Sequence, residues 1–201
     1  IGQIKIGVIL CEDMWHEDYY ANPAKILADR GAEILFNLSA SPWTWQKNRK
    51  RHQVVRNLLG ECHVPFVYVN NTGAQNTGKN IIVFDGSSTA YNKRGEIVFE
   101  IPPYADGSRD LIFDPNMKPL GPKTPNDTEE LYNAIVCATK SMVPDGDKII
   151  VGLSGGIDSA VVLTLMVDVF GPERVIAVNM PMPSNSQKTR DMAETIARNL
   201  G

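Results

Sequence analysis

Residues 148–159 constrain this chain more than any other stretch. Lys148-Ile149-Ile150-Val151-Gly152-Leu153 is an apolar run of strand length that leads straight into Ser154-Gly155-Gly156-Ile157-Asp158-Ser159. Ala160 to Phe170 follows as a helix apolar nearly all round, which implies burial. A strand, a glycine-rich turn and a helix N-terminus form an anion cradle. Glycine lets the backbone approach closely, and the free N–H groups of the first helical turn point outward. Ser154 and Ser159 add hydroxyl donors. Asp158 should repel a phosphate, and makes sense if it holds a divalent cation that bridges to one. The loop differs from the Gly-x-x-x-x-Gly-Lys-Ser/Thr pattern, because no lysine follows the glycines. A plain tight turn does not need two serines and an aspartate beside its glycines.

The rest of the chain alternates in the same way. Ile4 to Leu10 reads as a strand buried toward its end, and Asn22-Pro23 starts a helix closed by Gly31. Glu33 to Leu38 reads as a second strand. From about Asn48 a helix carries Val54, Val55, Leu58, Leu59 and Cys62 on one face. Pro65 to Asn70 shows no alternation and should be covered on both sides. Ile81 to Phe84 and Gly95 to Ile101 read as hairpin strands around turns at Asp85-Gly86 and Lys93-Arg94-Gly95. Between Pro102 and Pro125 the residues Pro103, Pro115, Pro119, Gly121 and Pro122 mark a domain boundary. That stretch is apolar enough at Leu111, Ile112 and Phe113 to drape over one domain or the other. Beyond it come a helix with Leu131, Ile135 and Met142 at helical spacing, the strand and loop described above, a strand over Arg174–Met180, and a helix over Gln187–Leu200 with Met192, Ile196 and Leu200 inward. The order implies an α/β layered fold.

Cys11 closes the first strand, and a thiol at a strand-to-helix turn can stand exposed with the next backbone N–H open to an oxyanion. An isolated cysteine there would otherwise read as a small buried hydrophobe. Glu12 and Asp13 either bind a substrate amine or set the turn. His16 and His52 read as surface residues, and Cys62 and Cys137 as core. Three cysteines without metal-like spacing point to a reducing compartment. The net charge of -3 gives no nucleic-acid footprint, and most of the basic run Lys47 to Arg51 reads as a solvated helix start. No apolar run approaches the roughly 18 residues of a membrane span.

Several of these segments carry a resemblance. Ser154 to Ser159 resembles the pyrophosphate loop of the ATP-pyrophosphatase family, whose members cleave ATP to AMP and pyrophosphate through an adenylated intermediate. Val178 to Ser184 resembles the second strand and loop that lie near adenine and ribose in NAD synthetases. Ser184, Ser186, Thr189 and Asp191 fit the polar pattern that follows, and fit a capped helix start equally well. Gly7 to Trp15 resembles the nucleophile segment of nitrilase-fold amidases, in particular the glutaminase domain of NAD synthetases. Asn37 to Pro42 with Lys47, and Phe84 to Ser88, match the same branch. The resemblance runs from Ile1 to about Ile101.

A nitrilase-like part followed by a pyrophosphatase part is similar to the glutamine-dependent NAD synthetase family. That resemblance implies the C-terminal part of an αββα sandwich over 1–118 and the start of a Rossmann-like ATP-pyrophosphatase domain over 119–201. It implies Cys11 as nucleophile, with Glu12, Ser41 and Lys47 against glutamine. Gly152, Leu153, Ser154, Gly155, Gly156, Ile157, Asp158 and Ser159 would hold ATP, with Asp158 on Mg²⁺. The implied reaction amidates deamido-NAD in the cytoplasm, within a homo-oligomeric parent and without nucleic-acid or membrane partners. The family's glutamate base and lysine lie upstream of the nucleophile, and ten residues precede Cys11 here. The 201-residue chain alone is therefore expected to lack full activity. Two other readings stay open: a nucleotide-binding or interaction module without turnover, and a nitrilase-type amidase with a non-catalytic appendage.

Overall fold

A computed structural model of the chain describes residues 3–108, 110–112, 117–121, 126–183 and 186–201, residue 18 in its backbone alone. Phe113, Pro115, Pro122, Pro125 and Ser184, singled out above, lie outside those residues. The chain divides into two compact units between Ala138 and Thr139.

The first unit is built on a five-stranded sheet. Its parallel core comprises β1 (Ile6–Leu10), β2 (Ile34–Ser39) and β3 (Phe66–Asn70), connected by α1 (Pro23–Asp29) and α2 (Lys47–Cys62). Asn22 caps α1 by accepting from the Lys25 N–H, and Pro23 occupies the first turn, where no donor is needed. Gly7 lets β1 lie close under α1, since a Cβ there would sit 3.2 Å from Leu27 Cβ of that helix and 2.6 Å from Leu35 Cδ2 of β2. The helices cover one face of the sheet. Ile9, Leu35, Phe66 and Tyr68 point into that layer against Val55, Leu58 and Leu59. Each such side chain contributes about 1.5–3 kcal/mol by leaving water.

The strands therefore alternate, contrary to the expectation for β1 and β3. On the other face Ile6, Val8, Leu10, Leu38 and Val69 are exposed, Leu10 by 62%. Apolar residues on both faces look like double burial in a sequence, but in this chain helices cover only one.

Chain pairing after β3 also differs from the expected hairpins. β4 (Thr72–Asn76) pairs antiparallel with β5 (Ile81–Asp85) in a separate two-stranded sheet. Asp85-Gly86 is therefore no hairpin turn: it leads from β5 to β6 (Thr89–Tyr91), which returns to the main sheet beside β3. The turn at Lys93-Arg94-Gly95 does join β6 to β7 (Ile97–Glu100). The proline-rich stretch touches this unit, through Leu120 N–H to Ile97 O and Tyr104 N–H to Asp85 O. It leads to α3 (Asp127–Met142), whose Asp127 accepts from Gln46 and Arg49. On α3 it is Ala134 that is buried, whereas Leu131, Ile135 and Met142 are exposed.

The basic run at the start of α2 is not all solvated. Arg51 is 0% exposed and makes two bonds to Asp85, Nη1–Oδ2 at 3.1 Å and Nη2–Oδ1 at 3.2 Å. Its guanidinium lies 4.5 Å over the Tyr68 ring, and Nη1 also donates to Asn48. Burial is the largest single influence and opposes the charge on Arg51, but Asp85, with Tyr68 and Tyr91 adding to it, holds the guanidinium above its usual range.

The second unit is smaller. β8 (Ile149–Gly152) and β9 (Val175–Val178) pair in parallel, with α4 (Ile157–Phe170) and α5 (Gln187–Leu200) beside them. Val151, Leu153, Leu163 and Ala193 form its core, with Ile196 and Leu200 partly buried against it and Met192 exposed. α4 is not buried all round: Leu163 points inward while Ile157, Val161 and Val162 stand in solvent. Among the described residues, no helix is long and apolar enough to cross a membrane.

Removing one partner of a buried ion pair strands the other charge. Asp85→Ala is therefore expected to cost about 3–5 kcal/mol, read as a lowered midpoint in urea unfolding. A midpoint within error of the parent would mean that Arg51 finds water or another acceptor.

Candidate functional site

Cys11 follows the last residue of β1 and opens a 3-10 turn over Cys11–Met14. Its φ is 34°, in the left-handed region that side chains disfavour. Two side chains hold it there. Asp13 accepts from Leu10 N–H at 2.8 Å, and Asn37 donates to Cys11 O at 3.3 Å. Asp13 thus sets the turn. Glu12 faces outward and accepts from the Tyr19 hydroxyl at 3.1 Å.

The half-buried Cys11 lines a cavity of about 930 Å³ together with Glu12, Trp15, Ser41 and Lys47. All four residues expected around the amide substrate therefore share one space, although they come from three parts of the chain. β1 delivers Cys11 and Glu12, the loop after β2 delivers Ser41, and the first residue of α2 is Lys47. Lys47 Nζ donates to Pro42 O at 3.0 Å, which ties the helix start to that loop. Burial pulls the Lys47 ammonium below the usual lysine range, and the Arg51 charge one turn along adds to this; Cys11, Asp85 and Glu12 act the other way. Lys50 and Arg56 make the outer wall basic, with Lys50 Nζ 5.6 Å from the Trp15 ring centre.

The other titratable residues lie elsewhere. His16 and His52 are not surface residues. His52 Nδ1 is 2.6 Å from the Tyr91 hydroxyl and its Nε2 is 3.8 Å from Glu100, whereas His16 Nε2 lies 4.0 Å from Glu61. Neither lines the thiol cavity. Cys62 packs against the core, and burial pushes its thiol up to about 11. Cys137 is half-buried on α3.

In the second unit, Gly152, Leu153 and Ser154 line a cavity of about 200 Å³ with Asn179, Met180 and Arg190. Gly155, Gly156, Ile157, Asp158 and Ser159 continue the loop without lining that cavity, and Asp158 is exposed on the first turn of α4. The serine hydroxyls brace the loop itself. Ser159 Oγ accepts from Ser154 N–H at 3.2 Å and donates to Gly156 O at 3.1 Å; Ser154 Oγ accepts from Gly156 N–H at 3.3 Å. Gly155 has φ +87°, and a Cβ there would fall 2.2 Å from Thr189 O, so the loop seats against the first turn of α5. Ser186 caps α5 through Thr189 N–H, which is the role the capped-start reading gives it.

The carbon-nitrogen hydrolase family model matches residues 1–112, and the NAD synthase model matches residues 132–201. The first of these covers more than half of the chain, and the chain belongs to the carbon-nitrogen hydrolase family. Over 98% of its length it is 35% identical to the glutamine-dependent NAD(+) synthetases of Synechocystis sp. and Acinetobacter baylyi. It spans 37% and 36% of those relatives. The glutamine-dependent NAD+ synthetase of Acinetobacter baumannii, solved with ADP, superposes with a TM-score of 0.83 at 34% identity, covering 100% of this chain and 38% of that one. The enzyme from Cytophaga hutchinsonii, at 17% identity and a TM-score of 0.67 over 98% of this chain and 37% of that one, shares the fold.

Gly155→Ala should lower stability by at least about 1–2 kcal/mol, because a Cβ in the left-handed region is strained even without the clash. Hydrogen exchange should rise first in residues 187–190. Unchanged exchange there would mean that the loop does not depend on its seat against Thr189.

Proposed function

We propose that this chain is the thiol and nucleotide-loop portion of a glutamine-dependent NAD synthetase, divided near residue 118 as its punctuation suggests. One observation carries the reading. Cys11, Glu12, Ser41 and Lys47 converge on a single cavity in a chain that also holds a Ser-Gly-Gly-Ile-Asp-Ser loop at a helix N-terminus. The relatives bear the same name and match across both parts.

In this mechanism the Cys11 sulfur attacks the side-chain carboxamide of glutamine. The backbone N–H of Glu12 faces the developing oxyanion. The C–N bond breaks, ammonia leaves with the thiol proton, and water cleaves the thioester to glutamate. Lys47 and Ser41 bind the α-carboxylate end, and Glu12 binds the α-ammonium. At the second site the carboxylate of deamido-NAD displaces pyrophosphate from ATP, and ammonia then displaces AMP. The 154–159 loop and the α4 N-terminus hold the phosphates. A single exposed carboxylate beside hydroxyls fits Mg²⁺, which takes one or two carboxylates plus phosphate oxygens. Asp158 would hold that ion, and its charge would offset the phosphates. Three cysteines without metal-like spacing suit a reducing compartment such as the cytoplasm.

In the complete gene product, Cys11→Ala should abolish NAD formation from glutamine and leave formation from ammonium salts near the parent rate. Loss of both, or of neither, would sink the assignment. Lys47 gives a pH signature. Its charge is lost at a lower pH than that of an ordinary lysine, so KM for glutamine should climb as pH rises through that lowered value. Lys47→Arg stays charged and should flatten the climb. A climb that persists unaltered would assign the titration to another group.

A further inference from the structure

Asn70 ends β3, away from every motif, and does not line the thiol cavity. Yet its side-chain amide grips both polar groups of Ser41. Asn70 Oδ1 accepts from Ser41 N–H at 2.8 Å, and Nδ2 donates to Ser41 O at 3.2 Å. This two-sided clamp holds a residue that is 3% exposed and lines the same cavity as Cys11. The clamp works in one orientation only, because a flipped amide would set donor against N–H and oxygen against oxygen.

Something must fix that orientation, and the buried ion pair does so. Asp85 Oδ1 lies 3.4 Å from Asn70 Nδ2 and also receives Arg51 Nη2. A carboxylate bound by two guanidinium donors presents acceptors only, so it selects the NH₂ edge of Asn70. The Asn70 backbone N–H is itself held by Ser88 Oγ at 3.0 Å. The line of contacts runs Arg51, Asp85, Asn70, Ser41, from the interior of the unit to the cavity wall.

We propose that Asn70 is a positioning residue for glutamine binding, and that Asp85, paired with Arg51, sets the direction of its amide. The proposal rests on the reading of Ser41 as part of the glutamine pocket. Asn70 acts through Ser41 and touches no reacting atom. Its loss should therefore weaken binding of ground state and transition state alike, raising KM while sparing kcat.

The test is glutamine hydrolysis by the complete gene product, with Asn70→Ala and Asn70→Asp compared with the parent. Asn70→Asp keeps the acceptor for Ser41 N–H. It removes the donors to Ser41 O and Asp85, and sets a second carboxylate beside the first. Both variants should show KM for glutamine raised about tenfold, the scale of one or two lost hydrogen bonds, with kcat changed less than about twofold. Because Asn70 acts through Ser41, the two changes should not add: in a Ser41→Ala background Asn70→Asp should raise KM by well under the factor it gives alone. A cooperative thermal melt certifies folding; if Asn70→Ala lacks one, Asn70→Asp decides. A folded Asn70→Asp with the parent KM overturns the proposal, as does a fall in kcat at constant KM. If neither variant folds, Asn70 is a fold residue and the proposal is overturned as well. A parent protein that does not hydrolyse glutamine removes the wider reading and this one together, whereas an active parent with indifferent variants removes only this one.

Discussion

A guanidinium in the interior has few places to go, and the first unit is arranged around the one it occupies. Taking two charges out of water costs several kcal/mol per ion, and only close, well-oriented pairing offsets it. Arg51 and Asp85 meet that condition, and Tyr68 covers the guanidinium face. The pair joins α2 to the end of β5, elements with no backbone pairing to each other. It thereby sets the rotation of α2 about its axis. Lys47 lies four residues before Arg51, one turn away on the same side, so the rotation that buries one places the other at the cavity. Proximity also makes the two charges repel. The Arg51 charge thus adds to the burial that already pulls the Lys47 ammonium down.

Sequence periodicity reports which residues are apolar and leaves open what covers them. That difference accounts for the misread strands. β1 has apolar residues at Ile6, Val8 and Leu10 as well as Ile9, a run that looks doubly buried, but α1 and α2 reach one face only. α4 repeats the lesson in the second unit, where Leu163 is inward and Val161 and Val162 are not. Where one layer alone fixed the outcome, the reading held. Val54, Val55, Leu58 and Leu59 are the buried stripe of α2, and the Asn22 cap and the Gln187–Leu200 helix stand where capping and periodicity put them.

The polar interior was the least legible part. Arg51 sits in a run of basic residues that reads as solvent-facing, and its acceptor is 34 positions away. Asn70 looks like a strand end. Thr72–Asn76 has one β-branched residue, Thr72, and no aromatic, so β4 went unread and β5 was given the wrong partner. These features depend on contacts between distant residues, to which no local pattern responds. Of the cavity residues, Cys11 stood out because it follows a strand, whereas Ser41 and Lys47 were legible only through the family resemblance.

The two loops meet the same geometric demand in different ways. Each must turn the chain sharply at the end of a buried strand, and each places one residue in the left-handed region. At Gly155 the space where a Cβ would lie is filled by Thr189 O, so the turn is made by removing the side chain. Backbone N–H groups are what a phosphate needs, and nothing is lost. At Cys11 the side chain is the reagent in the proposed chemistry, so glycine could relieve the strain only by deleting the function. The strain is borne instead, and Asp13 and Asn37 hold the backbone through Leu10 N–H and Cys11 O. The turn at Cys11 is held by neighbouring side chains, and the glycine-rich loop by the hydroxyls of Ser154 and Ser159 together with its seat against Thr189 O. Of the acidic pair after Cys11, Asp13 holds the turn, while Glu12 lines the cavity and accepts from the Tyr19 hydroxyl.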